Sequence, residues 1–183
     1  MSRKIEVPQR DQVSENNQAI FDQLKKGLGF VPNLYATYAY SNTALGDYLN
    51  LQNRKTSLTS KEKEIINLVV SQVNECAYCL AAHTAIGKMN GFTDEQILEI
   101  RSGEASFNAK YDVLAKFVKN ISINRSKPAQ EAVENLFEAG YSKENLVDII
   151  IVIGDKTISN FLHGATQIPV DFPAAPELET ATV

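Results

Sequence analysis

Two thiols and an imidazole lie within eight residues of one another in Cys76-Ala77-Tyr78-Cys79-Leu80-Ala81-Ala82-His83, which holds both cysteines of the chain and one of its two histidines. In a helix of 3.6 residues per turn, positions i, i+3 and i+7 fall on one narrow stripe. The three side chains then share a face, with Cys79 one turn before His83. The reactive form of cysteine is the thiolate, which a helix N-terminus or a nearby base favours, and both are at hand. Asn74 is expected to cap the helix, with Cys76 in its first turn. His83 can take a proton from Cys79, directly or through a water, and return it to a leaving group. The two sulfurs can also close to a disulfide, so that a sulfenic acid on one is resolved by the other.

A carboxylate belongs with them if the chain folds back. Glu64 precedes Cys76 by 12 residues, roughly 18 Å along a continuous helix and out of reach. A break near Asn74 makes the two helices antiparallel neighbours and lets Glu64 hydrogen-bond His83, orienting the imidazole and raising its basicity. Other readings stay open. Two buried cysteines can simply pack. Two thiolates and an imidazole are also zinc ligands, but zinc sites usually place a CxxC in a turn, and only His163 or a carboxylate is available as the fourth ligand. His163 stands apart from any motif and is expected as a helix C-terminal charge or a core hydrogen-bonder. Tyr78 points off the reactive stripe and is expected to pack, with a phenol that can line a pocket.

The elements that position these groups all read as helices. Ser14 caps a run from Glu15 to Leu28, with Gly27 and Gly29 as its stop. Leu34 to Asn53 reads as a second, longer helix weakened at Asn42 and Gly46. Thr59-Ser60-Lys61-Glu62 is a capping-box pattern that opens an intensely apolar, buried helix carrying Ile65, Ile66, Leu68, Val69 and Val70. Gly91 ends the cysteine helix and Thr93 to Gln96 opens another. Tyr111 to Ile121 marks an amphipathic helix, Pro128 stands at the first position of the next, and Ser142 caps a long final helix expected at the centre of the core. Gly91-Phe92-Thr93 and Gly140-Tyr141-Ser142 form an internal echo 49 residues apart. No hairpin or βαβ signal appears, so the expectation is a single all-α domain of seven or eight helices over residues 1–183, with an N-terminal arm (1–13) and an extended C-terminal tail (168–183).

Composition narrows the function. The 183 residues are 44% hydrophobic and 22% charged with a net charge of −4, which is ordinary for a globular domain and gives no reason to expect nucleic acid or a membrane as partner. The polar start and the lack of a long apolar run predict a cytoplasmic protein. Two cysteines are too few for a secreted disulfide framework, so their spacing carries the information.

Glu64, Cys76, Cys79 and His83 reproduce the E-x11-C-x2-C-x3-H pattern of the AhpD-like alkylhydroperoxidases in the carboxymuconolactone decarboxylase superfamily. Gly29 to Tyr35, Val69 to Asn74 and Val170 to Pro173 are similar to its peroxidase-related branch. The resemblance implies a thiol-dependent peroxidase: Cys79 forms the sulfenic acid, Cys76 is proton donor and resolving thiol, His83 is the acid/base, and Glu64 is its relay partner. It implies reduction of a hydroperoxide to an alcohol, no cofactor or metal, a dithiol or lipoyl-bearing electron donor, and a homo-oligomer (dimer, trimer or hexamer). Two positions depart from the pattern: Tyr78 stands where well-studied members have a second histidine, and Glu75 where the branch often has glycine. The superfamily's lactone decarboxylation, which does not use the cysteine pair, and a redox-sensing or zinc-binding CxxC module are the alternatives.

Overall fold

The computed structural model describes residues 5–178. Among these the chain forms a 3-10 turn (Arg10–Gln12) and nine α-helices, α1 (Glu15–Leu28), α2 (Asn33–Tyr38), α3 (Ala44–Gln52), α4 (Ser60–Val73), α5 (Ala77–Met89), α6 (Asp94–Ser102), α7 (Ala109–Ile123), α8 (Gln130–Glu138) and α9 (Lys143–Thr166), with no strand. The fold is all-α, and helices start where a side-chain oxygen satisfies free first-turn amides. Ser14 accepts from Asn17 N, and Thr59–Glu62, Thr93–Gln96 and Ser142–Asn145 form reciprocal capping boxes.

The count exceeds eight because the helix expected over Leu34 to Asn53 is two. Asn17, fully buried on α1, donates from Nδ2 to Ala39 O (3.1 Å) and Ser41 O (2.9 Å) and holds the intervening turn. Two boundaries also differ. Gly27 stays inside α1, which ends at Gly29 in the left-handed region (φ 86°). Pro128 lies ahead of α8, whose N-cap is Ala129.

Helix α4 is the hub. Ile65, Ile66, Leu68 and Val69 are each 0% exposed, and α4 packs on α5, α6, α7 and α9. This is why its sequence is apolar on nearly every side. Helix α9, expected at the centre, buries one face only: Ile149, Val152, Ser159 and Asn160 are covered, whereas Val147, Ile158 and Phe161 are exposed. A second apolar cluster joins Phe21, Leu34, Tyr38, Leu45 and Tyr48 to Cys76, Tyr78, Cys79 and Ile168.

The internal echo extends to whole elements. Helices α4 and α7 start 49 residues apart, as do α6 and α9. Gly91 and Gly140 share the same left-handed φ (84° and 87°), and the amides that follow, Phe92 N and Tyr141 N, return to Gly87 O and Leu136 O. Both joints are the same glycine-terminated helix end leading into a capping box.

Arm and tail are tied down where described. Arg10 forks onto both oxygens of Asp22 (2.8 and 2.7 Å), and Val13 is buried. Beyond α9 the chain is extended. Asp171 accepts from Asn33 N (2.8 Å), Phe172 packs edge-on against Phe30 and Tyr78, and Pro176 O accepts from Arg101 Nη1 (2.6 Å). Residues 1–4 of the expected arm and 179–183 of the expected tail lie outside the described residues.

Because Leu68 fills the space between α4, α5 and α6 with no exposure, Leu68→Ala is expected to cost about 2–5 kcal/mol of unfolding free energy. Met89→Ala, at an 85% exposed position, is expected to stay within roughly 0.5 kcal/mol of wild type. Urea denaturation of the two variants measures both.

Candidate active site

The site is made by the way α4 hands over to α5. Asn74 closes α4, its amide returning to Val70 O and Gln72 O, and its Nδ2 donates to Asn160 Oδ1 on α9 (2.9 Å). Glu75 then reverses the chain in the left-handed region (φ 52°), which glycine enters more cheaply than a residue with a Cβ. The N-cap of α5 is therefore Cys76, in extended conformation (φ −83°, ψ 95°). Asn74, expected to cap this helix, is spent on the end of the one before. Cys76 thus lies just off the helical stripe that carries Cys79 and His83, but its Sγ accepts from Cys79 N at 3.4 Å.

This cap polarises the two thiols in opposite directions. The Cys79 thiol donates to Cys76 and, against the opposing effect of burial, the Cys79 amide, Asn160 and the Lys156 ammonium add to that donation, bringing the Cys76 thiol down to about 7. Donating its proton to Cys76, together with burial, pushes the Cys79 thiol up. Of the two thiols, Cys76 is the one whose ionisation the cap favours.

The reversal also brings Glu64 beside His83. Glu64 Oε2 lies 2.8 Å from His83 Nδ1, and Oε1 accepts from Asn67 Nδ2 at 3.1 Å. Both side chains are buried. Burial works to raise the Glu64 carboxyl, but His83, Lys156 and Asn67 outweigh it and hold it below the ordinary carboxylate value. Burial first, and then Lys156, hold the His83 imidazole down despite its carboxylate neighbour. The arrangement is a carboxylate and a neutral imidazole. Nδ1–H donates to Glu64, which leaves Nε2 as the free base.

A cavity of about 460 Å³ opens onto this group. Cys79, His83 and Lys156 lie in its wall, with Phe30, Tyr78 and Phe172 among the apolar surfaces opposite. Cys76 is not in the wall, and Glu64 stands behind His83. Tyr78 packs against Phe172 and His163, accepts from Leu34 N (3.2 Å) and lines the cavity, so it fills both expected roles. His163 is a core hydrogen-bonder: its Nε2 is 3.2 Å from Ile168 O, and burial lowers its pKa. Among the described residues no three His, Cys, Asp or Glu side chains are grouped to hold a metal ion.

Helix α9 supplies what sequence reasoning missed. Lys156, Ser159, Asn160 and His163 are all buried and recur at i, i+3, i+4 and i+7, a polar stripe along one face of the helix. That spacing was the available signal. Asn160 tethers Asn74, and Ser159 hydrogen-bonds the hydroxyl of Tyr48, whose ring stacks on Tyr38 at 4.3 Å.

The carboxymuconolactone decarboxylase family model matches residues 38–115, which include Glu64, both cysteines and His83. Among solved structures, the chain is similar to an uncharacterized peroxidase-related protein from Silicibacter sp. TM1040, with a TM-score of 0.79 and 23% identity over 97% of each chain. It is similar to the alkylhydroperoxidase AhpD core of an uncharacterized peroxidase-related protein from Ralstonia eutropha JMP134, with a TM-score of 0.82 and 20% identity over 92% of each chain. It also resembles the debrominase Bmp8 in complex with 2,3,4-tribromopyrrole, with a TM-score of 0.76 and 16% identity over 93% of each chain. These similarities are of fold, and the motif that the family model spans is the one around which the cavity is built. Over residues 38–115 the chain is therefore similar to the carboxymuconolactone decarboxylase family, and its fold is the one shared with the AhpD core and the peroxidase-related structures.

Proposed function

We propose that this protein is a thiol-dependent peroxidase that reduces organic hydroperoxides at Cys79. The observation that carries the reading is the placement of the sulfurs: Cys79 lies in the cavity wall with His83, and Cys76 stands behind it with Sγ 3.4 Å from Cys79 N. As Cys79 attacks the terminal oxygen of ROOH, its proton passes to Cys76. An S–O bond forms, the O–O bond breaks, and the departing alkoxide takes the proton from Cys76 to leave as ROH. Cys79 is then a sulfenic acid and Cys76 a thiolate again.

Cys76 next attacks the Cys79 sulfur. The S–S bond forms, the S–O bond breaks, and hydroxide leaves. It receives through His83 Nε2 the proton that the pair gave up on becoming an anion, while Glu64 stabilises the transient imidazolium. The sum is dithiol plus ROOH giving disulfide, ROH and water. A dithiol, free or lipoyl-bound on a protein, reduces the disulfide by exchange.

The same thiols offer a second reading, reductive removal of halogen from an aromatic ring. The aromatic side chains in the cavity wall and the fold shared with Bmp8 favour it over lactone decarboxylation, which needs no thiol pair. Bromide release from 2,3,4-tribromopyrrole by the reduced protein, without hydroperoxide consumption, would select it.

Three measurements test the peroxidase. With one equivalent of cumene hydroperoxide, wild type is expected to lose two thiols and form a disulfide. Cys76→Ser is expected to stop at a sulfenic acid that dimedone traps, and Cys79→Ser to consume no peroxide. Unchanged consumption by Cys79→Ser would defeat the assignment. Glu64→Gln keeps the size of the side chain but loses the charge that orients His83, and is expected to slow disulfide formation by roughly 10²-fold.

The third measurement is a pH profile. The Cys76 thiol ionises near 7 in place of its ordinary 9, so its thiolate is largely present above that pH and is lost as pH falls through it. In wild type the ultraviolet absorbance of the thiolate is expected to rise through pH about 7. In Cys79→Ala the donor S–H is gone and the midpoint is expected to move up.

A further inference from the structure

Lys156 is a buried lysine without a salt-bridge partner among the described residues. It is 3% exposed and lies in the cavity wall with Cys79 and His83. Among the described residues no carboxylate is close enough to form an ion pair with its Nζ. The neighbouring anionic groups have other partners or line another hollow: Cys76 Sγ lies behind the wall and accepts from Cys79 N. Glu64 accepts from His83 and Asn67. Asp155 precedes Lys156 and so lies about 100° round the helix; it faces a separate hollow shared with Arg54 and Thr56.

A desolvated ammonium is costly unless an anion meets it. The rest of the wall is largely apolar, with Phe30, Leu34, Phe172 and Ile86 contributing to it. A chamber of this kind matches a ligand with an apolar body and a single negative charge, because the body fills the chamber and the charge meets the one ammonium of the wall. Helix α9 holds Lys156 in place: Asn160, one turn on, is fastened to Asn74 and Ser71 of the α4 end, and Ser159 to Tyr48.

We propose that the cavity takes amphipathic organic acids, ring-sized or branched apolar molecules bearing a carboxylate or equivalent anionic group, which Lys156 holds with the body lying beside Cys79. The substrate is then the hydroperoxide of such an acid. This names the substrate class for the reaction proposed above, and it rests on that reading for turnover but not for binding.

The test is binding of unreactive probes to the reduced full-length protein by calorimetry: 4-isopropylbenzoate against its neutral isostere 4-isopropylbenzamide. Wild type is expected to bind the benzoate roughly tenfold or more tightly than the benzamide, the worth of a charge-assisted contact. In Lys156→Met the ratio is expected to fall to about one, and Lys156→Arg is expected to keep it. Equal affinities in wild type, failure of both probes to bind it, or an undiminished ratio in Lys156→Met would each overturn the proposal. The wild-type comparison decides alone if Lys156→Met fails to fold. Thiol titration with cumene hydroperoxide runs in parallel. Carboxylate selectivity without thiol oxidation removes the peroxidase and leaves the anion site, whereas thiol oxidation without selectivity does the reverse.

Discussion

The hydrogen bond between Glu64 and His83 is the constraint on which the remainder of the site depends. It lies inside the pair of helices at the heart of the molecule, with both partners buried. A buried carboxylate is tolerated only when its charge is met by hydrogen bonds; Asn67 of the same helix meets one oxygen, and α5 must sit in the register that delivers His83 Nδ1 to the other. That register leaves His83 Nε2 as the free base on the α5 stripe that carries Cys79 into the cavity wall. Breaking the bond leaves a carboxylate in a dry core, which costs more than the bond itself contributes.

The reversal at Glu75 is the local device that makes this register possible. A left-handed residue turns the chain so sharply that the next one, Cys76, becomes the cap of α5. A sulfur at an N-cap receives amides and the positive end of the helix, and here it also receives the proton of its partner thiol. Two chemically identical residues three positions apart thereby acquire different surroundings: one caps the helix behind the wall, and the other faces the cavity. Glycine would enter that turn without strain; Glu75 holds it with its side chain exposed to solvent.

Distant parts of the chain finish the site. The polar stripe of α9 brings Lys156 and Asn160 to the sulfurs, and the tail after α9 returns to α2 through Asp171 and Phe172 to wall the cavity. Helix α9 therefore serves two environments, with the buried polar stripe toward the thiols and the apolar residues Val147, Ile158 and Phe161 outward. Its hydrophobic sequence does not mark the centre of the core, because hydrophobicity reports burial only when the opposite face is also covered. Helix α4, covered by four neighbours, is the true centre.

The all-α class, most helix starts and the CxxC–His–Glu constellation are all readable in the sequence, because they depend on short-range rules. Caps act over three residues and amphipathic spacing over one turn; a fold-back near Asn74 suggests Glu64 as a partner of His83, and the spacing of the E-x11-C-x2-C-x3-H pattern selects it. Boundaries were less legible where a long-range contact sets them. The turn between α2 and α3 is held by Asn17 from another helix, and Asn74 was diverted from capping α5 by closing α4 and binding Asn160. What only the tertiary structure decided is the electrostatics: which of the two thiols the cap favours for ionisation, and that a buried lysine from a helix about eighty residues further along the chain faces the cavity. Those depend on desolvation and on distances between side chains far apart in sequence, and local patterns carry neither.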